Sequence, residues 1–158
     1  MSDWRDDRIG SALRGENPLV MARMRSGFAV IADTQFMPGY SVLLTDDERV
    51  GTLTALDWQR RGEFLLDMSL LGEAIEAACR PDGLRRMNYS IYGNALAVLH
   101  AHVVPRYEWE PAAFRGGPVW DYPRKEWLSE EKAYNDARHG ELRAAITAEL
   151  ERLMGAAY

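Results

Sequence analysis

Cysteine is nearly missing from this 158-residue chain; Cys79 stands alone. A single thiol excludes an intrachain disulfide and a cysteine-rich zinc site. Long apolar runs are missing too. No stretch of about 18 apolar residues occurs, so no transmembrane helix and no membrane partner is predicted. The N-terminus, Met1 to Arg8, is charged and lacks the apolar core of a signal peptide. A reducing cytoplasm is the expected compartment. A basic excess is also absent: 19 Lys and Arg stand against 24 Asp and Glu, for a formal net charge of −5. That argues against a general nucleic-acid binder. A small phosphorylated ligand stays open, because it needs only a few local donors. No internal repeat or low-complexity tract is present.

What is there fits an ordinary globular chain, 47% hydrophobic and 27% charged. Residues 3–14 read as a short helix. Val20–Met24 and Phe28–Ala32 flank a Ser26-Gly27 turn and read as a β-hairpin. Pro38-Gly39 is a turn signal, followed by a strand over Tyr40–Leu44. Residues 59–80 read as the main helix. There Phe64, Met68, Leu71, Ile75 and Ala78 share one face, and Cys79 falls on the apolar side as a buried structural thiol. Two strand-like runs follow, 86–92 and 97–104, joined tightly at Gly93-Asn94. After Pro105 the chain turns aromatic and irregular, too apolar for a disordered tail. It is expected to wrap over the domain or a partner subunit. Residues 136–154 read as a final helix with Leu142, Ala145, Ile146, Leu150 and Leu153 on one face. The order predicts an α+β fold built on an antiparallel sheet, as a single domain over 1–158.

The chain has three histidines. His139 precedes Gly140 and reads as solvent-facing. His100 and His102 lie two apart in a run rich in β-branched residues. A strand alternates its faces, so 98, 100, 102 and 104 point one way and Leu99, Ala101 and Val103 the other. The apolar face is expected to pack on a helix, which leaves two imidazoles side by side on a rigid element. A neutral imidazole nitrogen can attack phosphorus, and a second can donate to phosphate or to a leaving group. Spacing alone also allows a half-exposed pair with no role. A metal pair is a third reading, but no convincing third or fourth ligand lies nearby.

The run His100-Ala101-His102-Val103-Val104-Pro105-Arg106 resembles the signature of the histidine-triad family, His-φ-His-φ-His-φ-φ, often followed by Pro-Arg. The run from Ala32 to Leu44, with an acidic or amide residue before Pro38-Gly39, is similar to the family's second landmark. The helix of 59–80 lies between the two, as in the family. The resemblance spans residues 18–107, with 108–158 as an aromatic extension and C-terminal helix. It implies a fold of about five antiparallel strands, one main helix and a C-terminal helix. His102 takes the third triad position and His100 the middle one, the family's nucleophile. Val98 stands at the first position and Tyr40 where a histidine commonly follows the Pro-Gly turn. These departures suggest a coordinated replacement, with Val98 packing against Tyr40. Val98 still supplies the backbone carbonyl that orients the middle histidine.

The same resemblance implies substrate contacts. Asn94 falls near the phosphate-contacting loop, although Asn94 after Gly93 also suits a turn. Asn88 matches a strand asparagine, or caps local backbone. Asp33 stands where a ribose contact would come from, and Gln35 could enter the pocket or sit exposed in a turn. Arg106 reads as a phosphate anchor or as a surface ion pair. Trp120 is the expected pocket-closing aromatic of the extension. The implied function is hydrolysis or transfer at the α-phosphate of a nucleoside 5′-phosphate derivative through a nucleotidyl-His100. Candidates are dinucleoside polyphosphates, phosphoramidates and adenylylated compounds. A homodimer is implied. No active-site metal or cofactor is called for, and Mg²⁺ can accompany a polyphosphate substrate. The missing triad histidine leaves two alternatives: a nucleotide-binding module without turnover, and an interaction scaffold built on the aromatic tail.

Overall fold

The computed structural model describes residues 3–158. A 3-10 turn, Trp4–Asp7, runs into the short helix α1, Arg8–Leu13, capped by the Asp7 carboxylate on Gly10 N at 2.9 Å. The hairpin follows as β1, Val20–Arg23, and β2, Gly27–Ile31. Strand β3 is Ser41–Thr45. Helix α2, Trp58–Cys79, starts where Asp57 accepts from Arg60 N at 2.8 Å. It stops before Pro81, and the left-handed Gly83 at φ 82° turns the chain back. Strand β4 is Leu84–Ser90 and β5 is His100–Tyr107. The extension holds two single-turn helices, α3 at Ala112–Arg115 and α4 at Arg124–Trp127, before α5, Asp136–Ala157.

The strands form one five-stranded antiparallel sheet in the order β1-β2-β3-β5-β4. Register assigns its two faces. Ala29, Leu43 and Ala101 lie in one row across three strands, and all are fully buried. That face packs on α2, as the alternation predicted. Phe64, Leu71 and Ile75 of α2 are fully buried, and so is Ala74, because α2 lies against α5 as well as the sheet. Ile146, Leu150 and Leu153 of α5 are the buried part of its predicted stripe; Ala145 is exposed.

Asp67 is a fully buried carboxylate in α2. It accepts from Ser26 N at 2.7 Å and Ser26 Oγ at 2.6 Å, and the Tyr158 hydroxyl also donates to it. These bonds satisfy a group that would otherwise be costly to bury.

The predicted strand over 97–104 begins later and runs further, at His100–Tyr107. Residues 91–99 form an irregular loop in place of a tight connection at Gly93-Asn94. Its backbone finds partners elsewhere: Leu99 N donates to Val50 O at 2.7 Å, and Leu99 O accepts from Thr45 N at 3.1 Å. No described helix is long and apolar enough to cross a membrane.

Candidate active site

The opposite face of the sheet carries the histidines. Register aligns Val30, Val42 and His102 in one row, and Leu44 beside His100 in the next. These side chains line a cavity of about 270 Å³ together with Trp120 and Trp127 from the extension. Arg8 and Asp33 line the same cavity. A mostly apolar cleft with a few converging polar groups is what a small-molecule site requires.

His100 is 8% exposed, and its Nδ1 lies 2.7 Å from Val98 O. A carbonyl can only accept, so Nδ1 carries the proton and the neutral ring keeps its lone pair on Nε2. His102 stands beside it, edge to face, with ring centroids 4.9 Å apart. Its Nδ1 lies 2.7 Å from the Tyr40 hydroxyl. Burial and the neighbouring His100 push the His102 imidazolium down to about 4. His102 is therefore neutral at pH 7. Burial pushes the Tyr40 phenol up, so it keeps its proton. Val98 lines a second cavity that also reaches His100, with Gly51, Thr52 and Thr54. Tyr40 turns its hydroxyl to His102.

The extension roofs the cavity. Trp120 lies edge-on to His102 at 4.9 Å and to Tyr92 at 5.3 Å. It stacks on Trp127 at 4.9 Å, with the rings 2° from parallel. Trp127 in turn packs on Phe36 at 4.2 Å. The roof is fastened by backbone: Gln35 N donates to Lys132 O and Tyr134 N to Asp33 O, both at 2.7 Å. The expected wrapping is thus over the chain's own site.

The remaining candidates divide. Asp33 is in the cavity, held by Arg8 through Nη1–Oδ1 at 3.1 Å and Nη2–Oδ2 at 2.5 Å. Each carboxylate oxygen keeps a lone pair for a ligand. Trp120 is in the cavity as expected. Gln35 is not free to enter it. Its amide donates to Ala32 O and Tyr40 O and accepts from Gly39 N, closing the 32–40 turn from inside. That turn needs Gly39, whose φ is 90°.

Arg106 requires a correction. It is neither a phosphate anchor nor a surface pair, but 2% exposed and bonded to the fully buried Glu110 carboxylate. Its remaining N–H groups go to Asn88 Oδ1, Gly117 O and Phe114 O, so all five donors are taken. Asn88 does not line the cavity; its Oδ1 accepts from Arg106 and its Nδ2 donates to Met87 O at 3.1 Å, the local backbone contact that was its alternative. Asn94 is exposed in the 91–99 loop, outside the cavity lining. His139 caps the start of α5, accepting from Asn135 N at 3.0 Å. Among the described residues, no group of three or more His, Cys, Asp or Glu is placed to hold a metal ion.

Sequence reasoning missed Arg8, Trp127 and the Tyr40–His102 bond. Tyr40 carried a signal, as a departure at a landmark position. Arg8 carried none, since it meets Asp33 only through the docking of α1.

No family model and no curated protein matches the sequence. Solved structures do match the fold. A histidine triad protein from Marinobacter aquaeolei superimposes with a TM-score of 0.67 at 22% identity, over 85% of this chain and 89% of that one. A histidine triad protein from Sinorhizobium meliloti gives 0.70 at 17% identity, over 94% and 96%. A hypothetical histidine triad nucleotide-binding protein from Sulfolobus tokodaii gives 0.65 at 19% identity, over 92% and 93%. The chain has the histidine-triad fold.

Proposed function

We propose that this chain is a nucleotide hydrolase or nucleotidyl transferase acting at the α-phosphate of a nucleoside 5′-phosphate derivative. The observation that carries the reading is the 2.7 Å bond from His100 Nδ1 to Val98 O, which leaves Nε2 as a lone-pair nitrogen on a rigid strand. In the first step His100 Nε2 attacks phosphorus and the bond to the leaving group breaks. The leaving group departs with the electron pair and takes a proton from water. In the second step water attacks phosphorus and loses a proton to solvent, the P–N bond breaks with its electron pair returning to Nε2, and nucleoside monophosphate and neutral His100 are released. His102 donates from Nε2 to a phosphate oxygen. The apolar rows of β2 and β3 suit a base, and Asp33, held by Arg8, suits the ribose hydroxyls. Mg²⁺ would arrive only as part of a polyphosphate substrate. Assembly as a homodimer belongs to the same reading, and light scattering checks it.

The test is turnover of a fluorogenic adenosine phosphoramidate and of diadenosine tetraphosphate, with mass spectrometry of the acid-quenched protein for nucleotidyl-His100. Loss of both signals in a folded His100→Ala protein supports the mechanism. A second reading, nucleotide binding without turnover, is favoured by one observation: the aromatic roof already packs on His102. Binding of nucleoside monophosphate with no turnover across a broad panel selects that reading.

A further inference from the structure

Tyr40 immediately precedes β3 and is 5% exposed. Its hydroxyl and His102 Nδ1 are 2.7 Å apart, and either could donate. The surroundings decide which one does. Among the described residues His102 is the only hydrogen-bond partner of that hydroxyl. If Nδ1 were the donor, a buried phenol proton would have no acceptor, at a cost of about 1–3 kcal/mol. The reverse arrangement satisfies both groups. The phenol O–H donates to Nδ1, and the ring proton sits on Nε2, on the opposite edge.

The other charged or titratable groups around His102 do not upset this arrangement. His100 is the nearest, on the same strand. Tyr92 approaches at 6.3 Å from the 91–99 loop. Across the cavity, Arg8 and Asp33 neutralise one another. The cross-strand neighbours, Val42 on β3 and Ser90 on β4, are uncharged, and Trp120 closes the remaining side. No carboxylate bonds the His102 ring, so nothing here rewards an imidazolium.

We propose that Tyr40 is a positioning residue that fixes His102 in the Nε2–H tautomer, so that a neutral hydrogen-bond donor stands beside His100 for a phosphate oxygen of the substrate. The catalytic consequence rests on the nucleotidyl-transfer reading above; the tautomer itself does not. Tyr40 thereby gives the replaced landmark histidine a successor with a defined task.

Nitrogen NMR of the ¹⁵N-labelled full chain tests this, with His102 assigned by the signals lost in His102→Gln. The expected spectrum has a lone-pair Nδ1 and a protonated Nε2, unchanged from pH 7 to pH 5. Tyr40→Phe removes one oxygen and keeps the ring. It should give a mixture of tautomers and raise the His102 titration by about one unit. It should also lower kcat about tenfold, the size of one hydrogen bond, with KM within about twofold. A wild-type His102 with its proton on Nδ1 overturns the proposal. So does a Tyr40→Phe protein whose His102 tautomer and titration are unchanged, even if activity falls. If Tyr40→Phe does not fold, the wild-type spectrum decides alone. The predicted tautomer in a protein that turns over no nucleotide supports the lock and overturns nucleotidyl transfer.

Discussion

The two halves of β5 present the same face to different surroundings. His100 and His102 open onto a cavity under an aromatic roof, whereas Val104 and Arg106, further along that face, are sealed beneath the extension. The strand offers four positions in a row. What the tail lays over them decides which become a site and which become structure. At the first end two imidazoles keep ring nitrogens for a ligand. At the other, Arg106 bonds Glu110, which also accepts from the Tyr122 hydroxyl at 2.7 Å, and the remaining Arg106 donors go to Asn88 and two backbone carbonyls. A charge beside a candidate site is therefore no anchor when its donors are already taken.

Substitutions in the two halves should separate activity from stability. His100→Ala should lower turnover on the order of 10⁴-fold with only a modest loss of stability, about 1 kcal/mol in urea, because it removes a nucleophile and one hydrogen bond to Val98 O but no buried charge partner. Arg106→Ala should do the reverse. It leaves Glu110 buried and unpaired, and should cost about 3–5 kcal/mol in urea unfolding. The nucleotide Kd of the folded protein should stay within about twofold. A Kd raised tenfold in Arg106→Ala would break the comparison and return Arg106 to the ligand.

Asp33→Ala should weaken nucleoside monophosphate binding by about tenfold in calorimetry, the size of a charged hydrogen bond, with little loss of stability. Gln35→Ala sharpens the contrast. It should destabilise the protein by about 1–3 kcal/mol, because it orphans buried backbone groups while leaving the cavity lining intact. Acid gives a graded effect. The His102 imidazolium sits at about 4 in the folded chain, against about 6.5 when exposed. Between those values the unfolded chain binds the extra proton, so stability rises with pH. It should be lost progressively as pH falls below about 6.5 and through about 4. The urea midpoint of His102→Gln should fall less steeply over that window.

Much of this fold was legible because it depends on local rules. The hairpin, the Pro-Gly turn before β3, the long helix and the alternating faces of β5 follow from period and turn chemistry. Asp33, His100, His102 and Trp120 do meet in one cavity. Arg106 was misplaced because its partners arrive only with the folded chain, whereas Asn88 makes the local backbone bond that was its alternative, donating to Met87 O, and accepts from Arg106 as well. Arg106 depends on the course of residues 110–117. Gln35 bonds within its own turn, which no spacing rule reveals. The late start of β5 has a similar origin, since Leu99 pairs with Val50 and Thr45 as an irregular link between the loops.

The stacked pair of Trp120 and Trp127 makes the roof optically active as well as structural. An excited indole transfers an electron readily to an imidazolium and poorly to a neutral imidazole. With Trp120 edge-on to His102 at 4.9 Å, the part of the native emission that comes from this roof, two of the five tryptophans, should respond to the proton on His102. A ligand that lifts Trp120 from its stack also changes the environment of both indoles. The molecule thus carries its own unlabelled reporter, placed where ligand entry and protonation are felt together.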